Sequence, residues 1–401
     1  MQKKKILILD TGKEWGGGTV SLLELLKRVD SSRFEFTALF YTNYKKGGGS
    51  DIRTELEALG VEFIHLEMKA RFYSKAVKEA VRGALWPIPF MRKRFISFHD
   101  FTGRIEPAAR AISSVLRDGG FDMLYLNNQP SSNLEGILGA GLAGTHCVQH
   151  SRVEVTLTPA EAEEVNRVVE HVICVSRGVM DSLVTAGVHA DICSVVHNGV
   201  DSALKEERAP EEVREALGVK DGEFLIGTVG SLIKRKRVEL LLKTLAILKE
   251  KGLKIRGLIV GAGPEEGALK DRAEELGITE IVTFTGFSTE PLSYIKAMDV
   301  FMLTSIKEGL PRVILEAMLL ERPVVAARVT GPTELVIDDV TGFLVEGVEA
   351  EDFATRVETL LHSPELRRGM GQKGKREVLK NFSMDAYVQG VLRVFNEVFS
   401  R

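Results

Sequence analysis

The sequence predicts an α/β protein of two doubly wound halves, each built on a parallel sheet. Short β-rich apolar runs alternate along the chain with stretches of helical period. The alternation breaks at a polar segment near Val200–Pro210 and then restarts. At 401 residues the chain is also too long for one ordinary core, because domains run to about 100–200 residues. Hydrophobic residues at 44% and charged residues at 27% exclude disordered, collagen-like and coiled-coil chains.

In the first half the strand candidates are KILIL, EFTALF, VEFIHL, MLYL, THCVQH, VICV and CSVVH. A helix is expected over Thr19–Val29 and another from Ile52. Strands separated in this way by amphipathic stretches pair in parallel, since each needs a crossover to return. The second half repeats the pattern with FLIGTV, RGLIVG, IVTFTG, DVFML and PVVAA. At the end of the chain Tyr387, Val391, Val394, Phe395 and Val398 recur at helical spacing, so Met384–Phe399 needs a surface to cover. The expected domains are 1–200 and 201–383.

Net charge is −3, from 53 Lys+Arg against 56 Asp+Glu, which excludes a whole-chain electrostatic grip on nucleic acid. Cys147, Cys174 and Cys193 form no CxxC pair and their odd number makes a poor disulfide framework, so a reducing cytoplasmic setting is expected. The N-terminal MQKKKILILDTG has only a four-residue apolar run before Asp10, too short for a signal peptide and better read as a first strand. No stretch approaches the ~18 apolar residues of a spanning helix, so at most the chain lies on a membrane.

Ligands of open α/β sheets bind beyond the carboxyl ends of the strands, which singles out the residues just after each strand. Gly16, Gly17 and Gly18 fall between the first strand and its helix, where backbone can approach a ligand or cup an anion. A surface turn explains them equally well, and the run is not the GxGxxG of a dinucleotide site. Gly261–Pro264 reads as a tight structural turn. The richest segment is Asp299–Val325. Its strand ends near Leu303, Glu308 lies in the following loop, Pro311 stands where a helix begins, and Glu316 lies inside that helix. Eight helical steps would span about 12 Å, a reach that suits two ends of one nucleotide-sized ligand. Between the two carboxylates, the free N–H groups around Arg312–Ile314 offer a positive helix end to a diphosphate. Solvated helix-end charges are the bland reading, but the apolar context VIL…AMLL makes an unpaired Glu316 costly.

The run from Ser305 to Val325, with Glu308-x7-Glu316 and later Arg322-Pro323-Val324-Val325, resembles the signature of retaining nucleotide-sugar glycosyltransferases of the GT-B type, family 4. NGVD (Asn198–Asp201), VGSL, VGAGP, FTGF, GPTELV and TGFLV look like that family in the same order. The resemblance is dense from about Val172 to Val345 and thinner over residues 1–150. It implies the GT-B architecture, two facing Rossmann-like domains with an interdomain cleft, and a final helix 384–401 that crosses back onto the first domain. It further implies that Glu308 holds hydroxyls of the donor sugar near the anomeric carbon, that Glu316 accepts from the ribose, and that Lys236 pairs with the diphosphate. Gly230, Phe287, Gly309, Leu310, Arg312 and Val313 are carried over as donor-binding positions, and Gly16–Gly18 as the first-domain wall of the donor and acceptor cleft. His150, at the end of THCVQH, matches a position where related enzymes face a histidine toward sugar or acceptor. Where the family has an arginine after the glycine of VG, this chain has Ser231, leaving Lys234, Arg235 and Arg237, the neighbours of Lys236, as candidate replacements.

No DxD pair and no His/Cys cluster of ligand spacing is present, so neither metal nor cofactor is implied. The expected function is transfer of a sugar from a nucleotide-diphosphate donor to a glycan or lipid-linked acceptor. A nucleotide-sugar epimerase, a sugar phosphorylase and a non-catalytic donor-binding subunit remain alternatives. One segment is left over: Met68–His99 carries eight basic residues against Glu79 alone, interleaved with Trp86, Phe90, Phe95 and Phe98. Two readings stand, an anionic membrane surface contacted from the cytoplasmic side and an amphipathic helix pair packed on the first domain.

Overall fold

The seven apolar runs of the first half become β1 (Lys4–Asp10), β2 (Phe34–Phe40), β5 (Glu62–His65), β6 (Met123–Leu126), β7 (His146–Ser151), β8 (His171–Cys174) and β9 (Cys193–Val195) of one sheet. The structure is a computed structural model that describes residues 3–12, 15–67 and 101–401. The strand order is β5-β2-β1-β6-β7-β8-β9, every pair parallel. A two-residue antiparallel ladder, β3 (Lys45–Lys46) with β4 (Ser50–Asp51), forms a small hairpin beyond β2. Along β1 the pleat sends Ile6 and Ile8 into one core and Leu7 and Leu9 into another, all of them fully buried. A strand covered on both faces needs this unbroken apolar run rather than alternation.

The second sheet has the order β12-β11-β10-β13-β14-β15, again all parallel. Its strands are β10 (Phe224–Val229), β11 (Ile255–Val260), β12 (Val282–Gly286), β13 (Val300–Leu303), β14 (Val324–Ala327) and β15 (Gly342–Val345). β15 goes beyond the five strands expected from the pattern. It is a four-residue edge strand opening on glycine, and three apolar residues are too few to distinguish strand from turn.

The C-terminal helix Met384–Phe399 is capped by Ser383, whose side chain accepts from Ala386 N. It buries Tyr387, Val391, Val394, Phe395 and Val398 with Ile6, Ile8, Leu22, Phe34 and Tyr125, so it covers the first sheet. The chain therefore crosses between the two sheets twice. The crossings run side by side, with Val200 N on Phe382 O at 2.9 Å and Met384 N on Val200 O at 3.1 Å.

In each sheet the strand order reverses direction beside its first strand, between β1 and β6 and between β10 and β13. These two switch points open toward each other and define where a ligand sits. Cys147, Cys174 and Cys193 are free thiols. Among the described residues, no helix is long and apolar enough to cross a membrane. Met68–His99 lies outside the described residues.

Candidate active site

Between the two sheets lies a cleft of about 930 Å³, within the usual range for small-ligand sites. Its second-domain wall is built by two loops. Gly230 and Ser231 follow β10, and a turn over Lys234–Lys236 comes next. The loop Thr304–Pro311 follows β13 and feeds the helix Arg312–Leu319. Thr304 Oγ1 donates to the carbonyls of Lys236 and Arg237, at 3.0 and 2.9 Å, and Ile306 N donates to Arg235 O at 2.9 Å. The cationic turn is thus fastened to the loop that carries Glu308.

Glu308 is 4% exposed. Its Oε1 lies 2.6 Å from Lys236 Nζ and its Oε2 3.3 Å from Arg235 Nη1. Burial pushes its carboxyl up, but the two cations outweigh burial and hold it below the usual glutamate value. Glu316, one turn into the helix, goes the other way. Burial raises it, and Arg312, whose Nη2 lies 3.6 Å from Oε1, offsets only part of the rise. The two glutamates therefore sit in different settings, Glu308 held by two close cations and Glu316 by one more distant arginine. Pro311 is the N-cap of the helix between them, and no side chain caps its first turn, so its amide end is open to an anion.

Gly309, Leu310, Arg312 and Val313 line the same wall, and Phe287 closes one end with its ring against Gly47 of the β3–β4 hairpin. Opposite them, Gly16, Gly17 and Gly18 border the cleft where the helix Gly17–Arg28 begins. Two expected positions are corrected. Arg237 does not line the cleft: its backbone is left-handed, φ 47°, and its guanidinium turns to Val348 O at 2.9 Å. His150 does not reach the cleft either. It is fully buried with its Nδ1 2.5 Å from Tyr125 Oη, because the pleat of β7 points it into the core beneath the C-terminal helix.

Sequence reasoning missed Trp15, Tyr44, Lys46 and Arg152 on the first-domain side. Arg152, two residues past His150 and just off the end of β7, was signalled by that strand-end position. It is 9% exposed, and its guanidinium donates to Asn127 Oδ1 at 2.6 Å and to Asn198 Oδ1 at 3.1 Å. Asn127 in turn donates to Asp10 at 2.8 Å, and Asn198 to Leu310 O at 2.9 Å. This buried relay joins the end of β1 to the Glu308 loop across the domain junction. Among the described residues, no group of three or more His, Cys, Asp or Glu side chains is gathered as metal ligands would be.

Two facing Rossmann-like domains with this cleft form the architecture of GT-B glycosyltransferases. Residues 210–377 match the family described as Glycosyl transferases group 1. EpsD of Bacillus subtilis (strain 168) is 34% identical over 170 residues, 42% of this chain and 45% of EpsD. The capsular polysaccharide biosynthesis glycosyltransferase CapM of Staphylococcus aureus is 30% identical over 175 residues, 43% of this chain and 46% of CapM. The chain thus spans about half the length of these curated relatives. In fold, Anabaena HepE in complex with UDP and glucose superposes with a TM-score of 0.78 at 23% identity, covering 98% of this chain and 100% of HepE.

Proposed function

We propose that the chain is a retaining glycosyltransferase of family 4, transferring a sugar from a nucleotide-diphosphate donor to a glycan or lipid-linked acceptor in cell-envelope polysaccharide or glycolipid synthesis. The observation that carries this reading is the single wall on which Lys236, Glu308, an uncapped helix N-terminus and Glu316 follow one another along the cleft. Breaking the sugar–phosphate bond leaves positive charge at the anomeric carbon and negative charge on the diphosphate. Lys236 and the amides of the helix Arg312–Leu319 stabilise the leaving diphosphate. Glu316 accepts from the ribose, and Glu308 holds sugar hydroxyls near the reacting carbon. Of the three cations that could stand in for the arginine absent at Ser231, Arg235 borders the cleft and Lys234 and Arg237 do not, so Arg235 takes that role.

The purified chain, given a panel of nucleotide sugars with lipid-linked and oligosaccharide acceptors, is expected to consume one donor. The product's anomeric configuration, read by proton NMR, is expected to match the donor's. An inverted product would end the retaining reading, and donor turnover with no acceptor present would favour an epimerase. Met68–His99 is proposed to place the enzyme on the cytoplasmic face of an anionic membrane. Sedimentation with anionic vesicles, lost when Arg92, Lys93 and Arg94 are replaced by glutamate, tests that.

A further inference from the structure

Glu334 follows β14, on the second domain, yet its carboxylate hydrogen-bonds to Arg177, Gly178 and His197, on the other half of the molecule. Its Oε2 accepts from Arg177 N at 2.9 Å and its Oε1 from Gly178 N at 3.0 Å. These are the first two amides of the first-domain helix Arg177–Thr185, whose third is taken by its own cap, Val179 N on Ser176 Oγ at 3.3 Å. His197, on the crossing between the domains, adds its Nε2 at 3.1 Å from Glu334 Oε2. A second clasp lies alongside, Thr330 Oγ1 on Glu154 with Lys307 Nζ 3.8 Å from the same carboxylate.

One turn before Glu334, Gly331 has φ 90° and packs so tightly on the Glu308 loop that a Cβ would sit 2.5 Å from Gly309 O and 2.9 Å from Pro311 Cδ. Gly309 is pressed from its other side, where a Cβ would lie 1.9 Å from Arg152 O. The donor loop is therefore clamped between the Gly331 backbone and the first domain, and Glu334 is what fastens the outer jaw. We propose that Glu334 is a positioning residue that locks the two domains together and so holds the Gly309–Pro311 backbone in its working place.

The chemistry requires a carboxylate. Both oxygens accept from backbone amides at a helix N-terminus, where negative charge is favoured. Burial pushes this carboxyl up, but His197 and the two amides more than offset it and hold it below the usual glutamate value. Glutamine, of nearly the same shape, replaces one of the two accepting oxygens by an NH2 donor, which turns a donor toward one of the two amides.

The inference rests on the proposed function only for its effects on turnover and nucleotide affinity. Two variants test it. Glu334→Gln alters the jaw. Arg177→Pro removes one amide from the opposite side, at a helix position that accepts proline and behind Ser176, whose φ −155° and ψ 162° suit a following proline. Solution X-ray scattering without ligand is expected to give a larger radius of gyration for both variants than for the wild type. Calorimetry with UDP, GDP and ADP is expected to find affinity reduced by about threefold to tenfold, because the Gly309–Pro311 backbone that the lock holds starts the helix assigned to the diphosphate. Turnover is expected to fall about tenfold to a hundredfold with little change in melting temperature, the loss of one charge-assisted hydrogen bond acting on closure. Wild-type scattering in both variants overturns the lock, as does a turnover loss that only tracks a fall in melting temperature. A wild-type chain that binds none of the three nucleotides refutes the functional reading, and the scattering comparison still decides the lock.

Discussion

Lys236 Nζ lies 2.6 Å from Glu308 Oε1, so the cation assigned to the diphosphate and the carboxylate assigned to the sugar form one ion pair. Both are largely buried, at 15% and 6% side-chain exposure. Removing one member of such a pair leaves the other poorly solvated, at a cost of about 3–5 kcal/mol where burial is complete. Lys236→Ala is therefore expected to weaken nucleotide diphosphate binding at least about tenfold and to lower the melting temperature, with Arg235 limiting the damage. Calorimetry that finds wild-type affinity would remove Lys236 from the diphosphate site.

Glu308 and Glu316 are expected to separate in kinetics. Glu308→Gln frees Lys236 from its partner, so affinity for the nucleotide diphosphate is kept or improved while turnover falls by about a hundredfold or more. Glu316→Gln replaces one of two accepting oxygens by a donor and removes the charge opposite Arg312, which acts in the ground state as well, weakening the nucleotide about tenfold, the size of one hydrogen bond to a buried group. Equal effects of both substitutions on binding would contradict the assignment.

Much of this site was legible because its logic is local. Glu308, Pro311 and Glu316 sit within nine residues, and strand-end position plus helix start suffice to aim them at one ligand. Arg152 escaped because its strand-end position does not reveal its partners Asn127 and Asn198, which are distant in sequence. His150 was placed at the correct strand end, but strand-end position does not say which side of the pleat a side chain takes, and at β7 that side is the core. Arg237 was misplaced for a comparable reason: one left-handed residue turns it away from Lys236, and charge alone gives no sign of that. The fold was clearer, since buried strands announce themselves as apolar runs, and the short edge strand β15 and the two-residue strands β3 and β4 fell below that signal.

Activity is expected to survive a chelator. Lys236, Arg235 and the open amides of the helix Arg312–Leu319 together face the place assigned to the leaving charge, which is the work a divalent ion would otherwise do. Turnover measured after dialysis against EDTA should match the untreated enzyme, and a complete loss restored by added metal would overturn the metal-free mechanism.

Phe395→Ala is expected to destabilise the protein by about 3–5 kcal/mol, the usual range for a buried phenylalanine. Its ring is fully buried and meets Tyr125 at 5.2 Å and Phe34 at 6.2 Å between centroids, so it fastens the C-terminal helix to the first sheet. Urea unfolding followed by circular dichroism measures the loss. A change under about 1 kcal/mol would mean that the helix holds to the first sheet without it.

His150 makes stability depend on pH in a direction that can be worked out. Burial, reinforced by the Arg152 charge, holds its imidazole well below the usual histidine value, so the folded protein keeps it neutral. The unfolded chain takes up a proton as pH falls through about 6.5, while the folded protein resists until much lower pH. The unfolded state then binds more protons, so the full contribution is present above about pH 6.5 and is lost progressively as pH falls from there toward the depressed folded value. His150→Gln keeps a polar partner for Tyr125 Oη but cannot titrate. Between pH 7.5 and 5.5 the wild type should therefore lose more stability in urea than the variant, even though the variant is less stable at the higher pH. Parallel curves for the two proteins would mean that His150 finds a proton in the folded state as readily as in the unfolded chain, and hence that it is open to the cleft after all.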